Sequence, residues 1–166
     1  MNKNARKNLI RILQNAYSGE LAAAYAYRGH WKSLKDSAER EQIKKIEAEE
    51  WEHRESVGKW LEKLDAKPNA AREKIFWTIG RTLGASCYAS GWFFPMYFAG
   101  RLESGNVKEY EDAAALASEL GMRECVDELM DMARTSVNVI GNCLATVVVA
   151  KWEDEYREPK GEIDFD

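Results

Sequence analysis

Hydrophobic positions recur along this chain at alternating spacings of three and four. Ile43, Ile46, Val57, Trp60 and Leu64 form one such stripe, and Glu50 and His53 fall inside it. That periodicity is the buried seam of a helix packed in a bundle. A second stripe runs through Leu9, Leu13, Ala16, Ala23, Tyr27, His30 and Leu34, with Glu20 in register. It predicts a first helix from about Asn4 to Leu34.

Asp36 followed by Glu39 is a capping-box-like start for the second helix, which places a turn near residues 35 and 36. The second helix then ends near Leu64, and Asp65-Ala66-Lys67-Pro68-Asn69 reads as a loop. A third segment, from Ala71 to Ser104, is the most apolar, and Thr82 to Gly100 carries no charge. Such a run raises the alternative of a membrane span. Gly84, Ser86, Ser90, Gly91 and Pro95 interrupt it and favour a closely packed central helix, with a kink expected at Pro95. Its aromatic residues, with the other tryptophans, read as core before they read as a substrate box. Ser104-Gly105-Asn106 predicts a bend, and Asn106 with Glu109 a new helix start. That helix stops at Leu120-Gly121. A last helix runs from about Met122 to Tyr156, through Cys125, Leu129, Met132, Ser136, Val139 and Cys143. Residues 157–166 read as a loose tail.

The fold class this predicts is all-α: an antiparallel four-helix bundle with an extra short helix, over residues 1–156. A chain of 166 residues suffices for one such domain. The formal net charge of −4, with 31% charged residues, gives no broad cationic face for nucleic acid. Three cysteines without paired spacing read as free buried thiols. The start of the chain has no long apolar core, so a cytoplasmic protein is expected. The first basic run, Lys3, Arg6, Lys7 and Arg11, has Leu9, Ile10, Ile12 and Leu13 beside it. It reads either as a solvated helix start or as a peripheral contact with an anionic bilayer.

The chemistry lies in the polar residues inside the seams. A carboxylate or an imidazole is costly to bury unless something satisfies it. Glu20 and Glu50 are equally far from the turn at residues 35 and 36, so an antiparallel hairpin sets them face to face. Glu103 continues the seam of Trp92, Met96 and Ala99. With Gly121 as the second turn, it lies level with residues 136–139.

The chain resembles the ferritin-like di-iron carboxylate superfamily, nearest the demethoxyubiquinone hydroxylase group. The residues that carry the likeness are Gly19-Glu20 with Ala23 and Tyr27, Glu50-Trp51-Glu52-His53, and Glu103 with Tyr110. The resemblance implies metal ligands at Glu20, Glu50, His53 and Glu103, and a channel near Tyr27 or Tyr110. It also implies a second Glu-x-x-His, whose place is taken by Ser136-Val137-Asn138-Val139. Serine and valine there remove a bridging carboxylate and a nitrogen donor. His30 cannot replace the latter, being about 15 Å along the first helix from Glu20.

Three readings follow. One is an iron-dependent oxidase or hydroxylase acting on an apolar, quinone-like small molecule, with the uncharged third segment lining its access. Another is a non-catalytic descendant that binds one ion (iron, manganese or zinc) or none, and acts as a partner or small-molecule binder. The third, an iron-handling or peroxide-scavenging role, is weakened by the lack of cysteine pairs. Pairing into a homo-oligomer through tryptophan-rich faces is a further expectation.

Overall fold

A computed structural model describes residues 2–90, 93–135 and 137, with residues 93–104 described by their backbone alone. Four helices, α1 (Lys3–Ser33), α2 (Ser37–Lys63), α3 (Ala70–Ser90) and α4 (Phe93–Glu119), are followed by a helical stretch over 123–135, here α5. No strand occurs among the described residues. The chain is an all-α helical bundle.

The helix ends follow local chemistry. Asn2 caps α1 by accepting from the N–H groups of Asn4 and Ala5 at 3.2 and 3.3 Å. Asp36 caps α2 by accepting from Ala38 and Glu39, both at 2.9 Å. Asn69 receives the N–H of Arg72 at 3.1 Å and opens α3. Two helices close alike. Gly121 takes φ 74°, and the Met122 N–H reaches the Ala117 carbonyl at 3.0 Å. Asp65 takes φ 51°, and the Ala66 N–H reaches Leu61 at 2.9 Å. Both are left-handed closures that satisfy orphan carbonyls, one with glycine and one with a tolerated aspartate.

One expected boundary moves. The third segment is described as α3 to Ser90 and α4 from Phe93, and residues 91 and 92 between them lie outside the described residues. Ser104-Gly105-Asn106 does not bend the chain, since α4 continues through it to Glu119. Glycine inside a helix costs only about 1 kcal/mol relative to alanine. Burial of Tyr110, Ala113, Ala114 and Ala117 on the same helix outweighs that. Pro95 lies in the first described turn of α4, and the expected kink there adjoins residues 91 and 92, which lie outside the described residues.

The main core joins Leu9, Leu13 and Ala16 of α1 to Val57, Trp60 and Leu61 of α2, to the α4 residues above, and to Cys125, Leu129, Met132 and Ala133 of α5. Cys87 and Cys125 are free, buried thiols. Leu9 and Leu13 are fully buried, and Ile10 and Ile12 pack on the core. The apolar neighbours of the first basic run therefore serve the bundle, and Arg6 itself donates to the Leu64 carbonyl at the end of α2.

The contact between α1 and α3 is backbone against backbone. A Cβ on Gly29 would fall 2.2 Å from Gly84 Cα, and one on Gly80 would fall 2.4 Å from the Ala22 carbonyl oxygen. With glycine and cysteine on its buried face, α3 turns large side chains outward, so Trp77 departs from the core place expected of the tryptophans, which Trp60 keeps. Ile75, Trp77, Ile79 and Tyr88 are all exposed. None of the described helices is long and apolar enough to cross a membrane. The end of the bundle near residue 156 and the tail 157–166 lie outside the described residues, as does Cys143.

Candidate metal centre

Glu20 of α1 and Glu50 and His53 of α2 meet between the helices of the first hairpin. Each offers one ligand atom, and these atoms lie within 4.8 Å of one another. Glu20 and Glu50 are only 3% and 5% exposed, while His53 is half-buried. The convergence follows from spacing. Asp36 sets the turn, the two glutamates stand equally far from it, and three residues along α2 keep Glu50 and His53 on one face.

The two oxygens of Glu20 are unequal. Oε1 accepts the phenol O–H of Tyr110, which reaches it from α4. Oε2 has no hydrogen-bond partner among the described residues, and the His53 Nδ1 is its near neighbour at 4.0 Å. A buried carboxylate oxygen left without a donor, next to a second carboxylate and an imidazole, is the arrangement a cation would satisfy. Two carboxylates and one imidazole suit iron, manganese or zinc. The residues present thus fit a divalent metal.

Two partly buried ion pairs hold this geometry. Arg54, next to His53, pairs with Glu73 of α3 and donates to the Tyr17 carbonyl of α1. Its guanidinium lies 3.6 Å from the Tyr17 ring centroid, and Ser18 Oγ donates to Glu73 at 2.6 Å. One arginine thereby ties α1, α2 and α3 beside the site. One turn the other way, Glu47 accepts from Arg28 Nε at 2.7 Å, Trp31 Nε1 at 2.5 Å and Trp51 Nε1 at 3.2 Å. Burial alone would raise the Glu47 carboxyl. The tryptophan and arginine hydrogen bonds and the arginine charge overcome it and hold the group below its usual range.

Helix α4 contributes Glu109 as well as Tyr110. Asn15 Nδ2 donates to Glu109 Oε1 at 2.5 Å. Burial raises the Glu109 carboxyl, and the nearby charges of Glu20 and Asp112 add to the rise. Glu109 thus packs toward α1 instead of starting a helix.

The remaining sequence candidates fall as follows. Tyr27 is buried two turns along α1 from Glu20, near Leu34 and Ile43. His30 is buried away from the cluster, and desolvation lowers its pKa to about 4. Glu103 belongs to α4, two turns before Tyr110, and its side chain lies outside the described residues. Ser136 and Val139 also lie outside them. Glu128 accepts from Ser56 and from Trp60 Nε1 at 2.8 Å, so it fastens α5 to α2. Sequence reasoning did not single out Glu47, Arg54 or Glu73. The available signal was the polar residues flanking the Glu50–His53 stripe, each with an opposite charge or an aromatic partner on a neighbouring helix.

Comparison with known proteins gives three kinds of likeness. A crystal structure of a protein from Xanthomonas campestris pv. campestris superposes with a TM-score of 0.69 at 18% identity, covering 91% of this chain and 98% of that one. It supports the helical fold. A short stretch is similar to membrane symporters. It is 58% identical over 36 residues to a proton/sodium-glutamate symport protein of Geobacillus stearothermophilus, covering 22% of this chain and 9% of that one. It is also 54% identical over 35 residues to a proton/glutamate-aspartate symporter of Escherichia coli K12, covering 21% and 8%. The chain spans less than a tenth of these relatives' length. The model of the family "Ubiquinone biosynthesis protein COQ7" matches residues 7–135, most of the chain and all of the cluster. By that match and by its helical bundle, the chain belongs to the COQ7 family, the demethoxyubiquinone hydroxylase group of the ferritin-like di-iron proteins.

Proposed function

We propose that this chain binds one divalent metal ion, iron in the first place, at Glu20, Glu50 and His53. In this reading it is a member of a hydroxylase lineage whose second half-site is incomplete. The observation that carries the proposal is the buried Glu20 Oε2, left without a donor beside Glu50 and His53. Glu103 is a fourth candidate ligand from α4.

When bound, iron would supply the redox chemistry with O₂ that a hydroxylase needs. The chain's own residues have other tasks. Tyr110 holds one oxygen of Glu20, the Arg54–Glu73 pair keeps α2 turned so that His53 faces α1, and apolar neighbours limit water. The substrate class this favours is an apolar, quinone-like small molecule. Exposed Ile75 and Ile79, one turn apart on α3, offer an apolar strip for peripheral contact with the bilayer where such molecules reside.

A second reading, a non-catalytic bundle with one ion or none, is favoured by a specific observation. The family match ends at residue 135, immediately before Ser136 and Val139 stand where a second Glu-x-x-His is expected. The end of the chain that should complete the second half-site is then the part least like the family.

Metal analysis of freshly purified protein, followed by ferrous iron and O₂, separates these readings. About one ion per chain, lost on chelation, supports the proposal. Two ions with O₂ uptake would mean an intact hydroxylase centre. No retained ion and no uptake of added iron would leave only the non-catalytic bundle.

A further inference from the structure

We propose that Tyr110 is a positioning residue for this centre: by donating its O–H to Glu20 Oε1, it decides that Oε2 is the oxygen presented to the ion. The inference rests on the metal-binding reading above and goes beyond it, because the sequence places Tyr110 only near a channel.

A carboxylate with both oxygens free can chelate an ion, bridge two ions or bind through either oxygen. Glu20 does not have that freedom. Its Oε1 accepts from the Tyr110 hydroxyl, while Oε2 stays without a hydrogen-bond donor among the described residues and lies near His53. Both partners are almost fully buried, Tyr110 at 2% and Glu20 at 3% exposed, so water does not compete for the contact.

The approach of α4 is itself fixed. Asn15, a little more than one turn before Glu20 on α1, donates to Glu109, the residue preceding Tyr110. On the same helix, Ala113, Ala114 and Ala117 are buried small residues that let α4 lie close to its neighbours. The α4 backbone is thus held in rotation and in distance, and the phenol arrives at one chosen oxygen. Groups that orient a metal ligand in this way typically contribute 10–100-fold to metal affinity.

The test uses the full chain and cobalt(II), whose visible absorption reports coordination number. Tyr110→Phe keeps the ring and removes the donor. It should weaken cobalt binding about tenfold and alter the visible spectrum, with a metal-free melting temperature near that of the original protein. In a Glu20→Ala background, Tyr110→Phe should have no further effect on cobalt binding, because its object is gone. Unchanged affinity and spectrum in Tyr110→Phe would overturn the proposal while leaving the metal site standing. Equal losses in both backgrounds, or a Phe variant that does not fold, would assign Tyr110 to packing alone and also overturn it. An original protein that takes up no cobalt would overturn the metal reading itself, and this one with it.

Discussion

Glu47 and Glu50 sit one turn apart on α2, both buried, and their surroundings are opposite. Glu47 is met by three N–H donors from Arg28, Trp31 and Trp51, so its charge is fully answered by protein. Glu50 converges instead on another carboxylate and a histidine, in a cluster where a Glu20 oxygen has no donor. The first arrangement spends a buried charge on joining helices. The second includes the donorless Glu20 oxygen, a demand that a cation can meet. Burial of a glutamate is therefore not what marks a site; the missing donor is.

The comparison breaks first on metal affinity. Glu50→Ala or His53→Ala should reduce divalent-metal affinity by about 100-fold or more, at or beyond the loss seen for residues that merely orient ligands. Calorimetric titration of cobalt or zinc reads this out. Added metal should raise the melting temperature of the original protein and fail to do so for either variant.

Acid provides the next test, with His30 as a third buried polar group. The folded pKa of His30 is lowered from 6.5 to about 4. Between those values the unfolded chain takes a proton that the folded one refuses. The stability His30 permits above pH 6.5 is thus lost as pH falls toward 4, by up to about 3 kcal/mol. Glu47, also lowered from its ordinary 4.5, adds a loss only below that value, as its stabilised carboxylate is protonated. Denaturant melts from pH 7 to 3 should show the earlier loss disappear in His30→Leu and persist in Glu47→Ala.

At neutral pH, Glu47→Ala should cost about 2–3 kcal/mol, since it leaves two partly buried indole N–H groups and a partly exposed arginine without their acceptor. Its metal affinity should stay that of the original protein. If Glu47→Ala also lost the metal, the two carboxylates would form one site and the contrast would collapse. The smallest effect belongs to Glu52→Ala. Glu52 lies between Glu50 and His53 in sequence but is exposed, so stability should change by less than about 0.5 kcal/mol and metal binding not at all.

Much of this was legible from residues alone. Asp36 and Gly121 mark their helix ends because their chemistry is local: a short side chain that accepts N–H bonds, and a residue at ease with positive φ. The pairing of Glu20 with Glu50 was legible because an antiparallel hairpin converts equal sequence distance into equal height. The course of the chain at residues 104–106 was not. Ser104-Gly105-Asn106 has turn chemistry, yet the packing of Tyr110 and the following alanines carries α4 straight through it. The outward turn of Trp77 and Ile79 was equally hidden, since it depends on how closely Gly80 and Gly84 bring α3 to α1.

By itself, then, the sequence determined the helical class, the first hairpin and its three-residue cluster, because period and capping act within one or two turns. Only the tertiary structure decided which oxygen of Glu20 lacks a donor among the described residues, that Tyr110 holds the other, and that Glu47 is met by donors from Arg28, Trp31 and Trp51. Those outcomes depend on which donors arrive from other helices, and no spacing along a single chain specifies that.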